Sequence, residues 1–599
     1  MTLSLRFCMG ASLAALLAGA TSPASAQASD ALETVVVTAT RSAMPLDQVP
    51  ASISVVTADQ IQNTPAQGLN DILRDMPGMV LNDIGPGVGH PTAYNESMRG
   101  LPTTETRMLV MVDGVPINDP FFNYIQWDRI PLDNIQQVEI VRGGGSPLWG
   151  NTAMGGVVNV ITKTATANEL EASAGGGSYG SYTSSVYGAY VASDWLTLSV
   201  NANWLGTAGY QTTPPSWTSF GSLNLRSPVY TPTPSWAQNI ALRADLAPAP
   251  GWSGFLSVTF NNDAQTLSTP IGHDDQTSWN FSGGLKKSFD ENDSLSLTYF
   301  HNNDHFITNN PHLLTFTTEY NSNIHLTLAN DNGASAIFTH TSDGILKTIN
   351  LGTDFHQISG VDQAQYFVPG GSLAAPVILG GGDQLFWAGF GQVQLQPLEQ
   401  LEVMASLRFQ YYASSHGVDT FPPGYGAIPY YSKERFTPRV DARYALDDGL
   451  ALRAAYYQSF RAPSMDQLYR TYADTTAGIY EGNPSLQPET LEGEEVGLDY
   501  SLPGMRSQFT FYNSTINNII TSTNLLPAQY PNLPGVNCGF DAVTFTYLTC
   551  TQNINAASAV ARGFEAEVNW EIGWGFSTGL TYTYADSHYT ADPVDPAAV

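Results

Sequence analysis

From residue 168 onward the hydrophobic positions recur at every second residue. Leu196, Leu198, Val200, Ala202 and Trp204 alternate with Thr197, Ser199, Asn201 and Asn203. Leu401, Val403, Ala405, Leu407, Phe409 and Tyr411 alternate with Glu402, Met404, Ser406, Arg408 and Gln410. Phe564, Ala566, Val568 and Trp570 alternate with Glu565, Glu567 and Asn569. A period of two places apolar side chains on one face of a strand and polar ones on the other. In a soluble sandwich that apolar face meets a second sheet; in a bilayer it meets lipid. Tight turns such as Asp447-Asp448-Gly449 join some strands, while polar, proline-rich stretches at 211–235 and 530–549 separate others. Short turns on one rim and long loops on the other are the asymmetry expected of a membrane β-barrel. Such a sheet must close, because hydrocarbon cannot satisfy an open edge.

Upstream the pattern is mixed. Residues 53–57 predict a strand, Thr57 or Asp59 opens a helix, and 69–76 predict an amphipathic helix stopped by Pro77-Gly78. Residues 109–112 predict a strand ending in the turn Asp113-Gly114. Two β-branched runs, 138–141 and 157–161, flank a middle containing Gly143, Gly144, Gly145, Gly150, Gly155 and Gly156. Such glycines mark backbone that needs positive φ or a close approach to another segment. No G-x-x-x-x-G-K-[ST] or G-x-G-x-x-G opens a helix here, which removes the phosphate-cradling reading. Residues 41–165 therefore form a compact α+β domain. Its loops at 83–95 and 117–129 carry Tyr94, Phe121, Phe122, Tyr124 and Trp127. Aromatic side chains on loops either bind a ligand or pack on a neighbouring wall.

The chain of 599 residues has 23 Lys+Arg against 53 Asp+Glu, a formal charge of −30. That excludes nucleic acid as a partner, since phosphate binding needs clustered cations. Only 13% of residues are charged and 11% are aromatic. With no apolar run of helix-spanning length after the N-terminus, this composition suits a transmembrane barrel, and a large secreted β-protein is the rival. Arg6, the apolar residues 11–20 and Ala24-Ser25-Ala26 read as an export signal cleaved after Ala26. Cys8 leaves with that signal, so Cys538 and Cys550 enter an oxidising compartment and are expected to form a disulfide. Two cysteines alone supply too few ligands for a metal. Glu33-Thr34-Val35-Val36-Val37-Thr38-Ala39-Thr40 follows closely. It reads either as a first strand or as an extended segment left free for another protein's sheet edge.

Met98-Arg99-Gly100-Leu101, Val112-Asp113-Gly114-Val115-Pro116 and residues 138–163 follow one another in the first domain. The barrel region carries Phe460-Arg461-Ala462-Pro463 with Leu468-Tyr469, then Gly482-Asn483-Pro484-Ser485-Leu486, Pro488-Glu489, Glu495-Val496-Gly497 and Arg562-Gly563-Phe564-Glu565. In order and spacing the chain resembles a TonB-dependent outer-membrane receptor of the siderophore and cobalamin family. The resemblance implies a membrane β-barrel of the 22-stranded antiparallel type with an N-terminal α+β plug inside it. The domains are then a signal peptide at 1–26, a periplasmic leader at 27–40, a plug at 41–165 and the barrel at 166–599. The family closes on a terminal aromatic strand, whereas residues 592–599 are polar and proline-rich, so the barrel is expected to lack its C-terminal strands. The short distance from Ala26 to Glu33 leaves no room for a signalling domain, which favours transport alone.

The resemblance also assigns roles. Glu33, Thr34, Val35, Val36, Val37 and Thr38 match the TonB box, which implies the periplasmic domain of TonB, with its inner-membrane energising complex, as partner. Arg99 and Arg142 of the plug and Glu495 and Glu565 of the barrel match the plug–barrel lock, and buried Arg–carboxylate pairs are strong and directional. Tyr94, Phe121, Phe122, Tyr124 and Trp127 form either an external ligand surface or packing against the barrel. The expected cargo is a scarce metal chelate, a ferric siderophore first and cobalamin second, carried across outer-membrane lipid. No resident cofactor is expected: His90 is isolated, the metal travels inside the ligand, and no EF-hand-like run offers a loop Ca²⁺ site. A passive porin or an adhesin would explain the barrel but not the leader. No nucleophile–base set supports an enzyme.

Overall fold

The computed structural model describes residues 4–7, 35–36, 38–81, 95–102, 105–212, 219–220, 223–224, 229–315, 317–373, 377–420, 428–447, 449–474, 478–525, 540–541, 546–547 and 550–591. The β-branched runs of the first domain build a five-stranded sheet in the order Ile53–Thr57, Ile135–Arg142, Gly156–Thr162, Met108–Val112, Val115–Pro116. Gly156–Thr162 runs parallel to Met108–Val112, and the other neighbours are antiparallel. A parallel pair cannot be closed by a hairpin, so the long crossover between them is free to carry loops outward. Asp113 and Gly114 sit at φ 51° and 79°, the left-handed turn that ties Met108–Val112 to Val115–Pro116.

Helix Ala58–Gln62 starts where Thr57 accepts from the Gln60 amide and Gln60 accepts from the Thr57 amide, a reciprocal cap. Helix Leu69–Arg74 ends two residues before the expected Met76, and it buries Leu69, Ile72 and Leu73 at one-face spacing. These side chains join Val110, Val138, Ile140, Val158 and Val160 in the plug core.

The period-two region contributes all but one strand of a 20-stranded sheet, the other being Ser4–Phe7. From Glu169–Gly176 to Phe576–Ala591 the long strands are antiparallel to their chain neighbours, and a short hairpin, Tyr472–Asp474 with Gly478–Glu481, folds in beside them. On Leu401–Asp419 the polar face, Glu402, Met404, Ser406, Arg408 and Gln410, is buried, while Leu407 is 52% exposed. Trp204, Leu242, Leu256, Trp387 and Phe436 are likewise exposed. Among the described residues no second sheet covers the apolar face, which speaks against the sandwich alternative. The plug lies within the curve of this wall, touching it at Arg243, Asp304, Arg408, Tyr457 and Glu565.

No pairing joins Glu169–Gly176 to Phe576–Ala591 among the described residues, so the closed ring is not seen there; each strand has one long neighbour. Ser4–Phe7 lies parallel to Glu169–Gly176, while the remainder of the expected export signal falls outside the described residues. No helix of the described residues is long and apolar enough to cross a membrane.

Candidate functional site

The plug meets one side of the barrel through glycines and arginines. Gly143 adopts φ 82°, and a Cβ there would stand 2.8 Å from the Tyr457 ring. Gly150, at φ 76°, would place one 2.7 Å from the Arg408 guanidinium. The glycine run therefore serves the close approach that its composition suggests. Just upstream, Arg99 sits at φ 57° and Gly100 at φ 70°, a turn that aims the Arg99 side chain at the wall.

The structure brings Arg99, Arg142, Glu495 and Glu565 together. Arg99 donates from Nε and Nη2 to Glu565 at 3.1 and 3.0 Å, from Nη1 to the Tyr457 hydroxyl at 3.3 Å, and from Nη1 to Glu495. Its guanidinium lies 4.7 Å over the Tyr512 ring. Arg142 lies 3.5 Å from both Glu565 and Glu567, and donates to the Ser52 and Ser54 hydroxyls at 3.2 and 2.7 Å. The side chains of Arg99, Arg142, Glu495 and Glu565 are each 3% exposed or less. At that burial an ion pair is directional, because every lone pair left unmet is costly.

A second cluster escaped the sequence reading. Glu489 accepts from Arg107 Nε at 2.9 Å, from Arg461 Nε at 2.7 Å and from the Ile520 amide at 2.7 Å. Arg461 also pairs with Glu105 of the plug, which accepts from the Ser464 hydroxyl at 2.6 Å. Burial pushes the Glu105 carboxyl up to about 7, against the lowering pull of Arg461. Arg461 and Glu489 lie in motifs that the sequence displayed; Arg107 and Glu105 carry no local signal.

The leader is not left free. Val35–Val36 pairs antiparallel with Met44–Pro45, and Val36 is buried with Met44, Val49, Ile53, Leu109 and Val157. Thr38 donates its amide to Glu139 at 2.7 Å, and its carbonyl accepts from Trp149 Nε1 at 2.9 Å. Gln137 Nε2 donates to the Val35 carbonyl at 3.0 Å. The reason is composition: a β-branched segment this apolar gains more by docking on the plug core than by staying in water. Val35 itself is 43% exposed, and no third strand joins this pair among the described residues. Glu33, Thr34 and Val37 lie outside the described residues. Beyond the leader, Arg41 stacks 4.1 Å over Trp149 and 4.5 Å over Phe390, and reaches Asp354 of the barrel at 3.6 Å. Arg408 donates to the same carboxylate at 2.8 Å.

The expected aromatic surface is interior. Phe121, Phe122 and Tyr124 are buried against Phe306, Phe386, Tyr412 and the helix Met465–Tyr469 of the barrel. The rings of Phe121 and Phe122 meet edge-on at 4.9 Å, and the Tyr124 hydroxyl donates to Gln276 at 2.7 Å. Trp127 belongs to the plug core and donates to Glu96 at 2.9 Å. Packing, rather than an external surface, describes these four; Tyr94 and His90 lie outside the described residues. Cys550 is disulfide-bonded, and its expected partner Cys538 also lies outside them. No group of three or more His, Cys, Asp or Glu side chains that could hold a metal occurs among the described residues.

Comparison with known proteins matches residues 45–157 to the TonB-dependent receptor plug domain and residues 315–598 to the TonB-dependent receptor-like β-barrel. The chain is similar to the vitamin B12 transporter BtuB of Photobacterium profundum, 37% identical over 166 residues, covering 27% of this chain and 26% of that one. A 137-residue stretch is 38% identical to BtuB of Vibrio vulnificus, covering 23% and 22%. These alignments span about a quarter of either transporter. Among solved structures, the ferripyoverdine receptor of Pseudomonas aeruginosa superposes with a TM-score of 0.71 at 14% identity, over 93% of this chain and 73% of that one. The ferric yersiniabactin receptor FyuA of Yersinia pestis gives 0.68 at 16% identity, over 90% and 79%. At such identities the likeness concerns the fold. Both domain matches, in this order and on this architecture, establish that the chain belongs to the TonB-dependent receptor family.

Proposed function

We propose that this chain takes up a scarce metal chelate across the bacterial outer membrane, with energy delivered mechanically by TonB to the leader. A ferric siderophore is the first reading of the cargo. Cobalamin is the second, favoured by the segment 37% identical to a vitamin B12 transporter. A receptor for a dilute ligand binds tightly, and nanomolar affinity corresponds to about −12 kcal/mol, so release has to be driven. The observation that carries the reading is the seating of Val35–Val36 and Thr38 on the plug strand Ile135–Arg142, whose far end reaches the barrel through Arg142. An extended partner strand that pairs with the leader can load the plug directly.

Deleting residues 33–40 is expected to leave cargo binding to cells intact and to abolish uptake. Normal uptake by that deletion refutes the coupling. Growth of a receptor-deletion strain carrying this chain on defined ferric chelates, and separately on cobalamin, separates the two cargo readings. Uptake that persists without the inner-membrane energy source would instead identify a passive porin.

A further inference from the structure

Strands Trp252–Thr266, His273–Ser288 and Asp293–Thr315 of the barrel meet the plug loop 117–129, and carboxyls crowd their contact. The loop brings Asp119, Asp128 and Arg129, and the wall brings Asp263 and Asp304. Arg129 donates to Asp304 at 2.6 Å, and Gln276 donates to the same carboxyl at 3.3 Å. Gln126 donates to Asp263, and Asn239 donates to the Asp128 carbonyl at 2.7 Å. Asp119 organises the aromatic turn. It accepts from the Phe121 and Phe122 amides at 2.9 and 2.7 Å, and its own amide donates to the Tyr124 carbonyl at 2.8 Å. Asn123 in that turn sits at φ 65°, a conformation that its surroundings have to hold.

One guanidinium thus stands among four carboxyls. The neighbouring cations are engaged elsewhere: Arg243 with Asp113 and Asp245, Arg470 with Asp362 and Asp466, and His356 with Asp331. Asp119 and Asp304 are 5% exposed or less, and Asp128 and Asp263 are partly buried. Carboxyls crowded in such surroundings take up protons rather than stay ionised together. The hydrogen bonding shows where a proton is wanting. Asp128 Oδ1 and Gln126 Oε1 are buried acceptors that meet no donor among the described residues. A carboxylic O–H is the donor that they lack.

We propose that these carboxyls form a proton-held latch: protons shared among Asp119, Asp128, Asp263 and Asp304 seat the loop 117–129 on the barrel wall, and their release loosens it. The latch is separate from the dry contacts of Arg99 and Arg142, and it works whatever the cargo. Burial and the Asp304 charge raise the Asp119 carboxyl above its usual range, and burial raises Asp128 against the pull of Arg129. The seated loop therefore holds protons that the released loop gives up. Its hold is full below about pH 4, where both forms are protonated, and declines as pH rises through the raised values. Tyr124 stays neutral throughout, because burial raises its hydroxyl too, and it donates to Gln276.

Backbone hydrogen exchange of the full chain in detergent micelles tests this, with rates corrected for the intrinsic effect of pH on amides. Exchange across 117–129 is expected to be at least tenfold faster at about pH 8 than at about pH 5, while 138–146 changes less than twofold. A change under twofold at 117–129, or an equal change in both segments, overturns the proposal without any variant. Asp128→Asn with Asp263→Asn removes two ionising groups and keeps their shape. This pair is expected to cut the ratio below threefold by slowing exchange at about pH 8. A ratio unchanged from native overturns the proposal. Calcium added at about pH 8 is expected to leave native exchange as it was. If calcium slows exchange to the acid rate, a metal rather than protons neutralises the cluster, and the latch as proposed is overturned.

Discussion

The two sides of the plug are held in different ways. On one, Arg99, Arg107 and Arg142 reach Glu489, Glu495, Glu565 and Glu567 in dry surroundings, and glycines let the plug backbone lie against Tyr457. On the other, a cavity separates sheet from wall and the bridging pair Asp113–Arg243 is partly solvated. Burial decides what such pairs contribute. Removing one partner of a buried pair strands a charge at about 3–5 kcal/mol, whereas a pair in contact with water is worth about 0–1 kcal/mol. Identical chemistry on two faces of one domain thus holds firmly where it is dry and less firmly where water reaches it.

The contrast is most exposed at Glu489. Glu489→Ala removes the carboxylate that Arg107 and Arg461 share, leaving Arg461 with Glu105, and thermal unfolding is expected to show a loss of about 3–5 kcal/mol. Arg243→Ala, which leaves Asp113 its bonds from the Thr162 amide and hydroxyl, is expected to cost clearly less by the same measurement. Equal losses would erase the distinction between the sides. Next in size, Glu495→Gln weakens the Arg99 anchor and is expected to raise sensitivity to large antibiotics severalfold in growth-inhibition assays. An unchanged barrier counts against the clamp. Arg41→Ala removes the cation that stacks on Trp149 and Phe390, and thiol labelling at Val35→Cys is expected to quicken a few fold without loss of fold.

The smallest expected effect is in pH. Burial raises the Glu105 carboxyl to about 7, above its usual carboxylate range, so the folded state holds a proton there that the unfolded chain releases. Its contribution is therefore full below about pH 4.5 and declines as pH rises toward 7. Relative to Glu105→Gln, the native unfolding temperature is expected to fall across that window.

Much of this architecture was legible in the chain. Alternation in 401–411 named the wall and its inward face, because a strand's period is a property of local geometry. The lock residues Arg99, Arg142, Glu495 and Glu565 were visible because they sit in motifs. Arg107 and Glu105 were not, since their partners lie more than 350 residues away and only folding brings them together. The aromatic loop was legible as important but not in role: exposure and burial give Phe121, Phe122 and Tyr124 the same sequence signature. The two readings of the leader, a first strand or a segment offered to a partner, were inseparable for a related reason. β-Branched residues that suit a partner's sheet edge suit the plug's own core equally well, and Val36 is buried there.

One strand, Ile135–Arg142, carries both the grip on the leader and an anchor to the barrel. A line under tension parts at its weakest joint. Here that is the pair of hydrogen bonds from Gln137 and to Glu139, well before the dry contacts of Arg142. Under the proposed pull, parting them would loosen Val35, Val36 and the Thr38 amide first, with the Thr38 carbonyl, Thr40 and Arg41 still held by Trp149, Asn350 and Asp354. Under the proposed coupling, load would reach the plug strand Ile135–Arg142 only after those first contacts had parted, and its Arg142 contacts to the barrel would yield last.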